Sequence, residues 1–311
     1  MEFLHKSILL KECIDGLEIK PDGIYADITA GGGGHSIEIV KKLECGGKLI
    51  VIDRDNDALE ACRQRLAGFF DRVEIVKANF NDTLSVLEDL GISGLDGILA
   101  DLGVSSYQLD NTDRGFSYSR DAFLDMRMDT SQGKSAFDVI NTYTYEQLVK
   151  IFFEYGEENY SKRIASRIIQ KREESPINTT LELSKIIISV MPGSARREDQ
   201  HPAKRIFQAV RLEVNGELEA LKQLMNDLPQ ILNPGGVAAF IMFHSLEDRI
   251  VKQGFVNLAK GCICPKEFPV CRCDNKPKLK IITKKPILPG AEEIKENPRA
   301  RSAKLRLAKK I

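Results

Sequence analysis

The sequence predicts an α/β protein with a doubly wound sheet and an inserted helical segment. Between residues 23 and 101, short apolar stretches alternate with segments of amphipathic helical spacing. Such alternation is typical of parallel strands joined by helical crossovers. The next convincing strand comes only after residues 102 to 236, 135 in all. One crossover needs far fewer residues, so the intervening chain is predicted to form a subdomain of its own.

The first part of the chain contains four predicted strands and three predicted helices. The strands lie near residues 24–28, 48–53, 73–77 and 95–100, and the helices near 35–44, 56–68 and 82–90. Asp55 or Asn56 precedes the second helix and Asn81 or Asp82 precedes the third, and these residue types commonly cap helix starts. Because such crossovers are right-handed, the carboxyl ends of all four strands meet at one edge, where ligands bind.

The middle of the chain is predicted to be an inserted helical subdomain. Helical spacing recurs near residues 145–155, 159–171 and 181–190. Pro176 and Pro192 interrupt the pattern, as expected where helices end. We therefore assign residues 1–110 and 201–311 to the core, and residues 111–200 to an inserted substrate-recognition subdomain.

The rest of the chain is predicted to return to the sheet. Helices are expected near residues 203–214 and 217–232, and strands near 236–243, 279–284 and 304–308. The last two strands would complete a sheet of seven strands.

Composition predicts a cytosolic globular protein without a membrane partner. The 311 residues are 42% apolar and 29% charged, with no run of 18 or more apolar residues and no signal segment at the start. The formal net charge is zero, but residues 276–311 carry twelve Lys or Arg against three Glu. That surplus suits either a phosphate backbone or a solvated lysine-rich surface.

Four of the seven cysteines form two Cys-x-Cys pairs, Cys262 with Cys264 and Cys271 with Cys273. The cluster is compact enough to hold one metal ion such as zinc, although Cys-x-Cys is tighter than the spacing of common zinc ribbons. A redox-labile or structural loop is the alternative. Both interpretations stay open, and we assign no metal site from the sequence.

A glycine turn follows the first predicted strand. It contains Gly31, Gly33 and Gly34, and Asp53 ends the next strand. Glycine lets the backbone pass close to a ligand, and an acid about 20 residues later can accept hydrogen bonds from ribose hydroxyls. The dinucleotide pattern G-x-G-x-x-G fails at its third glycine, where Ser36 stands, which disfavours NAD.

S-adenosylmethionine fits the pattern better than NAD. Its binders carry an acid at strand one, a glycine turn, an acid at strand two, a residue after strand three and an acidic or polar end of strand four. These positions hold Asp27, residues 31–34, Asp53, Asn79-Phe80 and Asp101. We expect Asp53 to accept from the ribose hydroxyls and Phe80 to lie against the adenine face. Gly33 and Gly34 are expected to admit the methionine carboxylate, which leaves the sulfonium near Asp101.

A known family resembles this chain from end to end. The matching segments are His5-x-x-Ile8-Leu-Leu10, Ala30-Gly-Gly-Gly-Gly-His35-Ser36, Asp101-Leu-Gly-Val-Ser-Ser-Tyr-Gln108-Leu-Asp110, Arg114-Gly-Phe116-Ser117, His201-Pro-Ala-Lys204-Arg205-x-Phe207-Gln208-Ala-x-Arg211, Asn233-Pro-Gly-Gly236, Phe243-His244-Ser245-Leu246-Glu247-Asp248-Arg249 and Asn297-Pro-Arg299-x-Arg301-Ser302-x-Lys304-Leu-Arg306. In these segments the chain is similar to the cytosine-N4 methyltransferases of ribosomal small-subunit RNA, the MraW or RsmH family.

The resemblance implies a Rossmann-like methyltransferase core that uses S-adenosylmethionine. It implies methylation of the exocyclic N4 of a decoding-centre cytosine in 16S ribosomal RNA, with small subunits or late assembly particles as the partner. It leaves homodimer formation open. The cofactor contacts it implies are Gly33, Gly34, His35, Asp53, Phe80, Asp101 and Gln108.

Asp101 is also the candidate catalytic residue. The lone pair of a cytosine N4 is conjugated into the ring, so the amine is a weak nucleophile until an acceptor binds its hydrogens. Asp101 or the main-chain carbonyls of residues 103–105 could be that acceptor, and Tyr107 or Phe116 could support a base displaced from its stack. An RNA-binding assembly protein, an NAD oxidoreductase and a methyltransferase for a small molecule or a protein are the other function classes considered.

Overall fold

The computed structural model describes residues 7–44, 46–193, 201–264, 270 and 272–311. The chain divides into two compact units. The first consists of Met1–Gly103 and Leu218–Ile311, and the second of Val104–Glu217. No helix in the described part of the chain is long and apolar enough to span a membrane.

The first unit is built on a seven-stranded sheet, counted over the described residues. Its strands are β1 (Ile24–Asp27), β2 (Lys48–Asp53), β3 (Val73–Lys77), β4 (Leu95–Asp101), β5 (Leu232–Met242), β6 (Leu279–Ile281) and β7 (Lys304–Lys310). Their order is β3-β2-β1-β4-β5-β7-β6. The first five are parallel neighbours, and β7 runs antiparallel to both β5 and β6. This order confirms the predicted doubly wound α/β fold.

Helices follow the strands of the first unit and make up most of the second. They are α1 (Leu10–Gly16), α2 (Gly34–Val40), α3 (Asn56–Arg65), α4 (Thr83–Asp89), α5 (Ser106–Asp110), α6 (Ala136–Thr142), α7 (Tyr145–Glu154), α8 (Ser161–Glu174), α9 (Thr180–Val190), α10 (Lys204–Asn215), α11 (Glu217–Ile231), α12 (Ser245–Ala259) and α13 (Ala291–Glu296). The sequence did not lead us to predict α1, α5, α6, α12 or α13.

Apolar side chains cover both faces of the sheet. In β4, Ile98 belongs to a buried cluster that includes side chains of α11 and α12, while Leu99 belongs to a second cluster that includes side chains of α1 and α2. Successive side chains of a strand point to opposite faces, so a strand that is apolar at every position must be covered on both sides. The core therefore fixes the strands, and with them the positions of the residues at their ends.

The second unit has an apolar core of its own. Phe152 of α7, Ile164 of α8 and Leu183 of α9 are fully buried in it. In the described part of this unit, four helices begin with a capping box. The side chain of a Ser or Thr accepts from the main-chain N–H three residues later, and the side chain of that later residue accepts from the main-chain N–H of the Ser or Thr. The pairs are Ser105 with Gln108, Ser135 with Asp138, Thr144 with Gln147 and Thr179 with Glu182.

The boundaries of the second unit differ from the predicted insertion at residues 111–200. The compact unit is wider at both ends, because it includes α5 at one end and α10 at the other. Ile206, Phe207 and Val210 bury one face of α10 in the core of this unit. We had expected this helix to return to the sheet. Amphipathic spacing shows that a helix has a buried face, but not which core that face joins.

Candidate functional site

Three carboxylates lie at the carboxyl ends of neighbouring strands in the first unit. Asp27 ends β1, Asp53 ends β2 and Asp101 ends β4. The chain order of the strands reverses between β1 and β4. In doubly wound sheets, ligands bind in the crevice outside this reversal point. The structure thus places three of the predicted residues at the edge where a ligand is expected.

Burial changes the acidity of two of these carboxyl groups. It raises the pKa of Asp27 to about 6, although the Ser36 hydroxyl donates a hydrogen bond to Asp27 Oδ2 at 2.6 Å and opposes the rise. Burial also raises the pKa of Asp101 well above its usual range, and the nearby charges of Asp27 and Glu247 raise it further. Both carboxylates are therefore costly to ionise unless a hydrogen-bond donor or a positive charge is close.

Asp101 has one oxygen without a partner. Its side chain is 24% exposed, but Oδ1 is buried and has no hydrogen-bond partner among the residues that the structure describes. A buried acceptor of this kind costs free energy until a donor reaches it. The oxygen is thus suited to accept a hydrogen bond from a bound molecule.

His35 lies beside Asp101 at the start of α2. Its Nδ1 is 3.9 Å from Asp101 Oδ2, and its Nε2 is 3.1 Å from the carbonyl oxygen of Ile8. Because a carbonyl oxygen only accepts, Nε2 carries the hydrogen, and a neutral ring presents an acceptor at Nδ1. A neutral His35 therefore offers no hydrogen to Asp101 from that nitrogen.

The glycine turn is tied to the end of β2. Gly31 and Gly33 have φ values of +51° and +72°, a conformation that side chains disfavour. Asp53 Oδ2 accepts from the main-chain N–H of Gly31 at 2.9 Å, and Oδ1 accepts from the N–H of Asp55 at 2.9 Å. Burial raises the pKa of Asp53 as well. Asp53 thus fixes the turn in addition to offering its remaining lone pairs to a ligand.

Two positions of the turn are crowded by neighbouring side chains. A Cβ atom at Gly34 would collide with Ser7 Oγ, and a Cβ atom at Gly33 would lie 3.3 Å from Cys62 Sγ. Glycine at these positions lets the turn pass close to its neighbours and keeps its main-chain N–H groups uncovered by side chains.

Phe80 follows β3 in a 3-10 turn that spans Phe80–Asp82. Its ring is partly buried against the cluster that includes side chains of α11 and α12. Next to it in the chain, Asn79 Oδ1 is buried and has no hydrogen-bond partner among the described residues. The Phe80 ring could stack on a flat heterocycle, and an amine on that heterocycle could donate to Asn79 Oδ1.

Gln108 belongs to the second unit and holds a local role there. Its Oε1 accepts from the main-chain N–H of Ser105 at 3.0 Å, and its own N–H donates to Ser105 Oγ at 3.2 Å. The side chain is buried. This capping box sets the start of α5, and the predicted contact of Gln108 with the cofactor stays a prediction.

The sequence of this chain matches known proteins along its whole length. The model of the MraW methylase family matches residues 2–311. The chain belongs to the MraW methylase family. The "Ribosomal RNA small subunit methyltransferase H" of Clostridioides difficile (strain 630) is 54% identical over 311 residues, which cover 100% of both chains. The protein of the same name in Brevibacillus brevis is 53% identical and covers 100% of this chain and 99% of its own.

Membership of the MraW methylase family makes the chain a methyltransferase that uses S-adenosylmethionine. The described residues fit that cofactor on two observations. The buried Asn79 Oδ1, which has no partner among the described residues, follows the carboxyl end of β3, and the crowded glycine turn follows β1. A nucleoside that carries an amine would satisfy such an acceptor.

One charged residue close to Asp101 was not among the predicted site residues. Glu247 of α12 is buried, and its Oε2 accepts from the main-chain N–H of Phe243 at 2.8 Å and of His244 at 3.2 Å. Its charge raises the pKa of Asp101. The spacing of His244 and Glu247 is that of a capping box, but no sequence pattern shows that Glu247 lies near the end of β4.

Proposed function

We propose that this MraW methylase transfers a methyl group to the exocyclic N4 of a cytosine in the decoding centre of 16S ribosomal RNA. The observation that carries the proposal is Asp101 at the end of β4, whose buried Oδ1 has no donor among the described residues. Relatives that cover the whole chain bear the name of small-subunit ribosomal RNA methyltransferases. An amine substrate offers the donor that this oxygen needs.

The cofactor contacts follow from the positions of the residues at the strand ends. Asp53 accepts hydrogen bonds from the ribose hydroxyls, since each of its oxygens has a lone pair beyond the one that binds a main-chain N–H. Phe80 lies against the adenine ring, and Asn79 Oδ1 accepts from the adenine amine. Gly34, the first residue of α2, presents its main-chain N–H to the methionine carboxylate, and Gly33, whose own N–H donates to the carbonyl of Ala30 at 2.8 Å, lets the backbone pass close to it.

Methyl transfer from the bound cofactor is a displacement in which the leaving group is already activated. The protein therefore contributes mainly alignment and the exclusion of water. Asp101 accepts a hydrogen of the N4 amine, which raises the electron density at that nitrogen, and takes the proton as the new bond to carbon forms. His35, held by the carbonyl of Ile8, lies beside this carboxylate with Nδ1 3.9 Å from Oδ2.

The proposed substrate is the RNA in small subunits or in late assembly particles, which places the enzyme in the cytoplasm. The lysine-rich segment 276–311 supports an RNA substrate, because eight of its twelve cationic side chains are exposed.

The test uses tritiated S-adenosylmethionine and small subunits that lack the native modification. We expect label in RNA, and in N4-methylcytidine after digestion to nucleosides. Label in a different nucleoside would contradict the proposed target atom. Binding of the subunits without any transfer of label would instead indicate an assembly protein that holds the cofactor as a structural ligand.

A further inference from the structure

Three cysteines come together in the segment that joins α12 to β6. The Sγ atoms of Cys262, Cys264 and Cys273 all lie within 4.8 Å of one another, and those of Cys262 and Cys273 are 3.8 Å apart. In a tetrahedral site with Zn–S bonds of about 2.3 Å, two sulfur atoms are about 3.8 Å apart. The spacing therefore fits sulfur ligands around one metal ion. Cys271, the fourth cysteine of the predicted cluster, lies outside the described residues.

Main-chain N–H groups bind two of these sulfur atoms. The N–H of Ile263 donates to Cys273 Sγ at 3.2 Å, and the N–H of Arg272 donates to Cys264 Sγ at 3.2 Å. Each bond joins the two arms of the segment, residues 260–264 and residues 272–278. Sulfur is the acceptor in both bonds, so they hold the sulfur atoms of the two arms close together.

The described residues of the segment form no apolar core. None of the described residues from 260 to 278 is buried, and Ile263 and Val270 are 63% and 70% exposed. Ordering a residue costs conformational entropy, which burial normally offsets. A crosslink would therefore add stability that the described part of the segment does not gain from burial.

The two ends of the segment are already held together. The main-chain N–H of Lys278 donates to the carbonyl of Leu258 at 2.8 Å, and the amide of Asn275 donates to the carbonyls of Lys260 and Gly261. This closure brings the two arms within reach of one another, which lowers the entropy cost of a crosslink between them.

We propose that Cys262, Cys264 and Cys273 are ligands of a structural Zn²⁺ ion that crosslinks this segment. Thiolates are soft ligands that select zinc over magnesium or calcium, and a compact tetrahedral sulfur site is typical of zinc. Binding releases the thiol protons to solvent and involves no change of oxidation state. The ion stabilises the segment after α12 in place of an apolar core.

The first test measures zinc in the full-length protein. The protein is produced with zinc in the medium, purified anaerobically without chelators or metal-affinity resin, and analysed by inductively coupled plasma mass spectrometry. We expect about one zinc per chain, and below about a tenth of that in the variant Cys262→Ser/Cys264→Ser/Cys273→Ser. Val270→Ser, in the same segment but without loss of a thiol, should keep its zinc.

A second measurement keeps the test decisive if the triple variant misfolds. The wild-type protein is stripped of metal and titrated with Co²⁺, which should produce sulfur-to-cobalt charge-transfer bands and the strong visible bands of a tetrahedral site. Zinc should displace the cobalt and protect the thiols from an aromatic disulfide reagent. A wild-type protein that contains no zinc and gives no such bands, or one whose cysteines are joined in a disulfide after anaerobic purification, would overturn the proposal.

Discussion

Asp101 is the residue at which the proposed chemistry is most directly tested. Asp101→Asn keeps the size of the side chain but removes the carboxylate that accepts the amine hydrogen. General base catalysis contributes about 100-fold to 10,000-fold, so we expect the rate of methyl transfer to fall at least about 100-fold. The affinity for S-adenosylmethionine should change by less than about threefold, since Asp53 and the glycine turn are intact. Single-turnover rates and equilibrium binding measure the two effects separately.

Asp89→Asn is the matched control, because Asp89 is an exposed aspartate at the end of α4. It should change neither quantity. Equal losses of rate and of cofactor affinity in Asp101→Asn would mean that Asp101 only binds the cofactor.

The pKa of Asp101 predicts how the rate depends on pH. Burial and the charges of Asp27 and Glu247 raise this pKa above its usual range. Only the ionised carboxylate accepts a proton, so the rate should rise as the pH increases through that raised pKa. The pH profile of single-turnover rates should show the rise in the wild type, and Asp101→Asn should lack it. The same rise in both proteins would assign the titration to a different group.

Asp27 predicts a pH dependence of stability. Its pKa is 3.8 in the unfolded chain and about 6 in the folded protein, so protonation favours folding. This contribution is fully present below about pH 3.8 and is lost as the pH rises through about 6, a change of about 3 kcal/mol. The free energy of unfolding of Asp27→Asn, relative to that of the wild type, should therefore increase by about this amount between about pH 3 and pH 7. Urea unfolding at a series of pH values measures it, and a constant difference would contradict the prediction.

At the scale of single elements, local patterns predicted the strands well. Residues 48–53 and 73–77 were predicted as strands and are β2 and β3. The helix α12 was not predicted, and its cap explains part of the difficulty. His244 accepts from the N–H of Glu247 through Nδ1, whereas Ser, Thr, Asp and Asn are the usual signals of a helix start.

The sequence patterns did not predict contacts between residues that are far apart in the chain. Ser36 breaks a dinucleotide motif and belongs to a segment of the family resemblance, but neither observation predicts that its hydroxyl donates a hydrogen bond to Asp27. The oxygen of Asp101 that lacks a partner depends on how β4, α2 and α12 pack. Sequence spacing placed the acids at one edge of the sheet, but burial and hydrogen-bond partners arise only once the sheet is assembled.

The glycine turn before α2 provides a test at the element scale. Gly33→Ala forces a side chain into a left-handed conformation, at φ +72°, which costs about 1 kcal/mol of stability. It also places a Cβ atom 3.3 Å from Cys62 Sγ, so we expect a clear loss of affinity for S-adenosylmethionine. Isothermal titration and urea unfolding measure the two effects.

Gly91→Ala separates backbone strain from the effect on the site. Gly91 has φ +67°, and a Cβ atom there would meet nothing within 4 Å. The Gly91→Ala variant should lose about as much stability as Gly33→Ala but bind S-adenosylmethionine with the affinity of the wild type. Equal affinity losses in the two variants would mean that the turn acts only through general stability.

For the molecule as a whole, the twelve cationic side chains of the lysine-rich segment 276–311 separate into two sets. In β7, Lys304 and Arg306 bind Asp248, Lys309 binds Glu18, and Lys310 donates to two main-chain carbonyls. These four cationic side chains therefore hold β7 in the folded protein. The other eight are exposed: Lys276, Lys278, Lys280, Lys284, Lys285, Lys295, Arg299 and Arg301. The charge count alone could not distinguish the two sets.

The exposed set predicts how binding of ribosomal particles depends on salt. Lys284→Gln/Lys285→Gln removes two exposed charges, so fewer counterions are released from the RNA on binding. The slope of log K against log salt should become shallower by about 1.5, and cofactor affinity should not change. The control Lys222→Gln/Lys252→Gln removes the same charge from exposed positions on α11 and α12. Binding of unmodified small subunits at several salt concentrations measures both variants. Equal slopes for them would show that the net charge of the protein, rather than this segment, attracts the RNA.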